Sequence, residues 1–128
     1  MTFKKPTVYS CSGCSSAAQM ANYLAIQLDR SGEAQMSCIA GVGGDVGSLV
    51  RTAKNSEFII SIDGCPLKCC QACLAKHQLK ADMPIVLSDY KIEKRLHQDF
   101  SQEDAEQLLM ALRKKLKGIR DTEGTSEQ

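Results

Sequence analysis

Cysteine is the residue type in this chain that is best suited to chemistry, and its seven copies fall in three places. Cys11 and Cys14 form the first place, and Cys38 stands alone in the second. The third place is a cluster of four: Cys65, Cys69, Cys70 and Cys73. Thiolates bind zinc and iron–sulfur clusters, and they also serve as nucleophiles in thiol redox enzymes. The spacing therefore indicates a metal site or a thiol redox centre.

Each of these places lies at or near the end of a run of residues that favours a β-strand. We predict four strands, at residues 7–10, 34–40, 58–62 and 84–87. The run at 58–62 is almost continuously apolar, which is typical of a central parallel strand that is covered on both faces. The first three predicted strands therefore end close to cysteine residues.

Helix signals follow the strands. Apolar residues at helical spacing and capping residues predict helices at 16–30, 48–55 and 66–77, and a last helix after Ser101. Ser15 can cap the first of these helices. Pro66 suits the first position of the third helix, which would make Cys65 its N-cap residue.

The alternation of strands and helices indicates an α/β fold. We predict a three-layer, mainly parallel four-stranded sheet with helices on both faces, Rossmann-like or flavodoxin-like. The carboxyl ends of parallel strands meet at one edge, where open α/β sheets bind their ligands. All three groups of cysteines are expected at that edge.

The chain of 128 residues is the length of one domain, which we place at residues 1–118, with a polar tail at 119–128. A net charge of +1 and an aromatic content of 5% do not favour a nucleic-acid partner or an anionic membrane. Residues 1–6 show no signal-peptide pattern, and the run 58–62 is too short to span a membrane. These features predict a cytoplasmic protein, in which clustered cysteines act as metal ligands or catalytic thiols more often than as disulfides.

Strand spacing selects three of the cysteines as ligands of a single ion. Neighbouring strands lie roughly 4.8 Å apart, so Cys11, Cys38 and Cys65 can converge above the middle strand if their strands are adjacent. Helix N-termini next to them predict lowered thiol pKa values. The three thiolates would leave one position of a zinc tetrahedron to be filled.

The fourth ligand remains open between two main candidates. On a regular helix, Cys69 lies one turn from Cys65, and Cys14 lies within the first turn after Cys11. Cys73 would rise about 12 Å beyond Cys65, too far for both to bind one ion. Cys70 would point about 100° away from Cys69, which makes it the poorest candidate.

Other residues are assigned mainly structural roles. Asp63 is expected to accept hydrogen bonds from backbone N–H groups, and Asp45 is a weaker candidate for the same role. His77 and His97 are expected at the surface or at helix ends. The glycine-rich segment 41–47 fits a tight strand-to-helix turn better than an anion cradle.

Three segments resemble the DGC-domain family, which is named after an Asp-Gly-Cys motif. The central segment is 62–67, read together with Cys69, and segments 9–14 and 36–44 also resemble the family. A looser likeness extends to residues 97–100. The resemblance implies zinc binding through four cysteines, here Cys11, Cys38, Cys65 and Cys69, and it implies no particular reaction.

We therefore predict a zinc-binding protein whose metal site serves either metal handling or structure. Cys14 and Cys73 remain possible substitute or additional ligands. One alternative is a thiol–disulfide enzyme or redox sensor that uses Cys11 and Cys14, because this pair follows a strand and precedes a helix. The other alternative is an iron–sulfur protein. The predicted partner is a metal ion, and no catalytic residue is assigned.

Overall fold

The sheet is four-stranded and entirely parallel, which confirms the predicted α/β class. A computed structural model describes residues 5–126, with side chains described through residue 121. The strands are β1 (Thr7–Ser10), β2 (Gln35–Met36), β3 (Ile59–Asp63) and β4 (Met83–Val86). Their order across the sheet is β2-β1-β3-β4. Most of the N-terminal segment that was searched for a signal pattern, residues 1–4, lies outside the described residues.

Five α-helices surround this sheet. They are α1 (Ser16–Arg30), α2 (Ile39–Gly43), α3 (Gly47–Lys54), α4 (Cys69–Ala75) and α5 (Gln102–Ser126), and a short 3-10 turn spans Leu87–Tyr90. The predicted cap of α1 is confirmed, since Ser15 Oγ accepts the Ala18 N–H at 3.1 Å. Helix α5 continues through most of the segment that was expected to be a polar tail. Within residues 5–126, none of the helices combines the length and apolar character needed to cross a membrane.

Alternating strand residues divide the core between two layers. Val8, Ile60 and Ile62 pack with the leucines of α1 and α5, which together form the α1/α5 layer. Tyr9 and Ile59 point the other way and pack with residues from the remaining helices, which form the α2–α4 layer. A period of two along each strand produces this division, because successive side chains leave opposite faces of a sheet.

Strands β1 and β3 are neighbours at the point where the chain reverses its direction across the sheet. From β1 the chain moves outward to β2 and then returns past β1 to β3. Ser10 pairs in register with Ile62 at the carboxyl ends of the two strands. Open α/β sheets bind ligands at such a switch point, so the residues after Ser10 and Ile62 occupy the favoured position.

The second strand is shorter than predicted. We expected a strand over 34–40, but the ladder contains only Gln35 and Met36, and Cys38 is the N-cap residue of α2. Glycines in α2 let this helix pack closely on its neighbours. A Cβ atom on Gly43 would lie only 2.8 Å from Cys73 Sγ.

The third predicted helix begins later than residue 66. Helix α4 starts at Cys69, and Lys68 before it has a left-handed φ of 53°. The backbone N–H of Lys68 donates to the Cys65 carbonyl at 3.1 Å, so residues 65–68 form a turn with Pro66 at its second position. Cys65 is therefore not a helix cap, and the helix-rise argument about Cys69 and Cys73 does not apply.

Candidate functional site

Hydrogen bonds join the ends of β1 and β3 and bring the first and third cysteine groups together. The backbone N–H of Cys11 donates to the Ile62 carbonyl at 3.0 Å, which extends the ladder by one residue. The backbone N–H of Gly64 then donates to Cys11 Sγ at 3.2 Å. The thiol of the first group is thus held against the backbone that leads directly to Cys65.

Gly64 is needed at this position because α1 passes close to it. A Cβ atom on Gly64 would lie 2.7 Å from the Ala17 carbonyl carbon and 2.9 Å from the Ala18 nitrogen, both backbone atoms. Backbone atoms of a packed helix cannot move aside as a flexible side chain can. The glycine therefore allows the β3 end, the first turn of α1 and Cys11 to meet.

Asp63 fixes the start of α4. Its side chain is 1% exposed, and its carboxylate accepts the N–H groups of Cys70 at 2.7 Å and Gln71 at 3.3 Å. Burial raises the pKa of Asp63 above its ordinary value, while these two hydrogen bonds and the Lys68 charge oppose the increase. The prediction that Asp63 binds backbone N–H groups is confirmed, and its capping role sets the position of Cys69.

A loop that sequence reasoning did not assign to the site lies over the cysteines. In residues 91–101, Lys94 Nζ donates to Cys65 Sγ at 3.7 Å. Two hydrogen bonds hold the loop to α1: Ser16 N–H donates to the Arg95 carbonyl at 2.8 Å, and Arg95 N–H donates to Ser16 Oγ at 2.9 Å. The loose family likeness at 97–100 was the one sequence signal that pointed to this loop.

The expectation of a lowered thiol pKa is wrong for Cys11. Burial raises the pKa of the Cys11 thiol, and negative charge on Asp63, Cys69 and Cys65 raises it further, against the Gly64 hydrogen bond. Burial is also the main cause of the raised pKa values of Cys70 and Cys73. Helix N-termini do not overcome burial and neighbouring anions here.

The structure groups some of the predicted ligands and separates others. Cys65 and Cys69 both lie within electrostatic reach of Cys11, because each contributes to the raised pKa of the Cys11 thiol. Cys38 is exposed and lines a neighbouring cavity of about 340 Å³ together with Ser10 and Ser12. Cys14 is exposed on the turn before α1.

The two remaining cysteines have packing roles. Cys70 is 1% exposed and packs with Tyr9 and Leu74 in the α2–α4 layer. Cys73 is partly buried against Gly43. In the part of the chain that the structure describes, no three His, Cys, Asp or Glu side chains form a group that could hold a metal ion.

His77 has a structural role, as predicted, and lies away from the cysteines of the sheet edge. Its Nε2 atom lies 2.8 Å from the Val42 carbonyl oxygen and 3.1 Å from the Asp45 carboxylate. Lys76 Nζ lies 3.1 Å from the same carboxylate. These contacts hold the connection between α2 and α3 against the end of α4. The segment 41–47 is thus partly helical, rather than the simple turn that was expected.

Comparison with known proteins places this arrangement in a family. The model of the DGC domain matches residues 7–112. The chain is 50% identical over 111 residues to the anaerobic and virulence modulator AnvM of Pseudomonas aeruginosa, which covers 87% of this chain and 85% of that protein. No solved structure matches. The Asp-Gly-Cys motif at 63–65 thus belongs to a domain that spans most of the sequence, and the chain is a member of the DGC-domain family.

Proposed function

We propose that this protein handles zinc, and that it binds one ion through Cys11, Cys65 and Cys69, with Cys38 as the fourth ligand. The observation that carries the proposal is the hydrogen bond from Gly64 N–H to Cys11 Sγ at 3.2 Å. It holds the Cys11 thiol beside the segment that leads to Cys65 in the turn and to Cys69 at the start of α4. The hydrogen bond therefore supports a site in which Cys11 is the fixed ligand and the other cysteines turn toward it.

The chemistry of the donors fits zinc. Zinc binds thiolate sulfur at about 2.3 Å in a tetrahedron, and it pairs readily with several anions at once. Burial and the negative charge of Asp63 both disfavour a thiolate at Cys11 and raise its pKa. A divalent cation between the thiolates would replace this repulsion with attraction.

The side chains must rotate to close around an ion, and their exposure favours such movement. Cys69 and Cys38 are exposed, while Cys65 is partly exposed. Cys38 lies just beyond β2, which is the direct neighbour of β1. Cys73 is a weaker choice as fourth ligand because its sulfur packs against Gly43.

The site supports metal handling better than a structural metal. Protein hydrogen bonds already hold its parts: Asp63 caps α4, and Ser16 binds the loop 91–101. Apolar side chains pack together in both layers of the core. We therefore expect the fold to form without zinc, in contrast to small domains that fold only when the metal binds.

Zinc binding would change the contacts between the cysteines and the loop 91–101. Lys94 Nζ donates to Cys65 Sγ at 3.7 Å, and a zinc ion on that sulfur would compete with the ammonium group. The P. aeruginosa relative is named as a modulator. Extending that role, we propose that this chain signals its metal state through the position of the loop 91–101.

Zinc content of the reduced protein tests the proposal. We expect about one zinc per chain, measured by elemental analysis and by competition with a chromophoric chelator. Cys11→Ser, Cys65→Ser and Cys69→Ser should each lose most of the bound zinc while remaining folded. Cys70→Ala is the matched control, because its sulfur is buried in the core, and it should retain the metal.

The same measurements can contradict the proposal. Reduced wild-type protein that binds no stoichiometric zinc would exclude it. Broad visible absorption after anaerobic purification would show an iron–sulfur cluster instead. Among Cys38→Ser, Cys14→Ser and Cys73→Ser, the variant with the weakest zinc affinity identifies the fourth ligand, and a result other than Cys38→Ser would overturn that assignment.

A further inference from the structure

Helix α2 is too short to be stable without support from other parts of the fold. It contains the five residues Ile39–Gly43, whereas isolated helices shorter than about 12 residues are marginal in water. The last carbonyl groups of a helix also have no partners within the helix itself. The stability of α2 therefore depends on the groups that reach its carbonyl end.

Two consecutive side chains at the end of α4 reach that carbonyl end. Lys76 Nζ donates to the Gly43 carbonyl at 3.0 Å, and His77 Nε2 lies 2.8 Å from the Val42 carbonyl oxygen. Basic side chains stabilise the carbonyl end of a helix through such hydrogen bonds and through its dipole. The backbone of residues 44–46 supplies further hydrogen bonds to α2. Helix α4 thus contributes part of the C-terminal cap of α2.

Asp45 holds both of these side chains in place. Its carboxylate lies 3.1 Å from Lys76 Nζ and 3.1 Å from His77 Nε2. The hydrogen bond from Lys76 lowers the pKa of Asp45, so its carboxylate is charged at neutral pH. The Val42 carbonyl and this carboxylate both accept hydrogen bonds, so Nε2 of His77 carries a proton. We call Asp45, Lys76 and His77 the interhelical cap.

His77 is the most buried member of the interhelical cap. Its side chain is 15% exposed, compared with 52% for Lys76 and 57% for Asp45. Ion pairs between exposed side chains contribute little to stability because water screens them. We therefore expect His77 to contribute most of the effect of the cap.

The opposite ends of the same two helices carry two of the proposed zinc ligands. Cys38 is the N-cap residue of α2, and Cys69 is the first residue of α4. Both helices begin at the carboxyl edge of the parallel sheet, because α2 follows β2 and α4 follows β3. The interhelical cap therefore joins the far ends of two helices whose near ends lie at the cysteine edge.

We propose that the interhelical cap is a positioning device for zinc, and that it sets the place of Cys38 relative to Cys69 by holding α2 on α4. This inference rests on the proposed zinc site with Cys38 as its fourth ligand. Without the cap, the end of α2 would fray, and because α2 has little more than one turn, fraying extends to Cys38. Zinc binding would then have to order Cys38 again, which lowers the affinity.

Hydrogen exchange of the metal-free protein tests the cap itself. In His77→Ala, the N–H groups of Gly44 and Val46, which donate to α2 carbonyls, should exchange about tenfold faster than in wild type, whereas those of β3 should not change. His77→Gln keeps a side-chain N–H donor and should restore much of the protection. Glu106→Gln, which alters a contact with Tyr23 on the opposite side of the sheet, is the matched control and should leave α2 unaffected.

Zinc affinity of the same variants tests the positioning role. His77→Ala should weaken zinc binding roughly tenfold, the lower end of the effect of residues that support metal ligands. His77→Gln should bind zinc within a few-fold of wild type. In a Cys38→Ser background, His77→Ala should cause little further loss, because the ligand that the cap positions is already absent.

Each measurement can overturn the proposal. Unchanged exchange of the α2 amides in His77→Ala would show that the cap does not hold this helix. A tenfold loss of zinc affinity that persists in the Cys38→Ser background would show that His77 does not act through Cys38. Equal zinc affinity in His77→Ala and wild type would contradict the positioning role alone, whereas wild-type protein that binds no zinc would contradict the proposed function as well.

Discussion

The two helical layers of this protein differ in what they bury. The α1/α5 layer buries leucine, isoleucine and methionine side chains against one face of the sheet. The buried serines on that side, Ser10, Ser15 and Ser16, all have hydrogen-bond partners. The α2–α4 layer is smaller and includes Tyr9, Cys70 and the buried polar residues Ser61 and Asp63. We infer that the α1/α5 layer supplies most of the stability. The α2–α4 layer has less apolar packing, and it positions the cysteines at the edge of the sheet.

The largest effect is expected from a cavity in the α1/α5 layer. Leu112 is 1% exposed, and Leu112→Ala should lower the free energy of unfolding by roughly 2–5 kcal/mol through lost burial and an unfilled space. Met110→Ala, on the exposed side of the same helix, should change it by less than about 0.5 kcal/mol. Urea denaturation of both variants measures the difference, and a similar cost for the two would contradict this division of the helix.

The second prediction concerns the close contact between the end of β3 and helix α1, beside Cys11. Gly64→Ala places a Cβ atom 2.7 Å from the Ala17 backbone, so we expect a loss of roughly 1–3 kcal/mol from overpacking. The forced shift should also separate Cys11 from Cys65 and weaken zinc binding. In Gly118→Ala, where the new Cβ meets nothing within 4 Å, stability should increase by up to about 1 kcal/mol. Equal zinc affinity in Gly64→Ala and wild type would show that this close approach does not set the site.

Buried hydroxyl groups in the two layers should respond with opposite signs. Ser61 Oγ, in the α2–α4 layer, is buried with no hydrogen-bond partner among the residues that the structure describes. Ser61→Ala should therefore increase the free energy of unfolding by about 1 kcal/mol, because it removes an unsatisfied polar group. Ser16→Ala should instead decrease it by about 1 kcal/mol, since Ser16 Oγ accepts the Arg95 N–H at 2.9 Å. Changes of the same sign in the two variants would rule out this explanation.

The smallest expected effect concerns pH and the edge strand β2. The Met36 N–H donates to the Asp29 carboxylate at 2.8 Å, and this bond, followed by the contact with Arg30, lowers the pKa of Asp29. A lowered pKa in the folded state means that the carboxylate stabilises the fold above roughly pH 4, the unfolded value. This stabilisation should be lost as the pH falls through the folded pKa. Thermal unfolding midpoints measured from pH 5 downward should fall more steeply for wild type than for Asp29→Asn, and parallel curves would contradict the assignment.

The residue pattern determined the class of fold and most of the element positions. Helical spacing and the Ser15 cap predicted α1 with its observed bounds. Short apolar runs located β1, β3 and β4 to within a residue or so. These predictions succeeded because they depend on local periodicity and capping, which neighbouring residues encode directly. The same local patterns predicted that cysteines follow the ends of β1 and β3.

Only the tertiary structure decided how the thiols are arranged. The start of α4 depends on a carboxylate from β3, and glycines let α2 pack closely on α4. Lys94 reaches Cys65 across 29 positions of sequence, and burial rather than helix ends controls the Cys11 pKa. Each of these depends on contacts between distant segments, which local spacing does not encode. Sequence alone thus selected cysteine as the candidate site residue, and packing decided that Cys11 lies against the backbone that leads to Cys65.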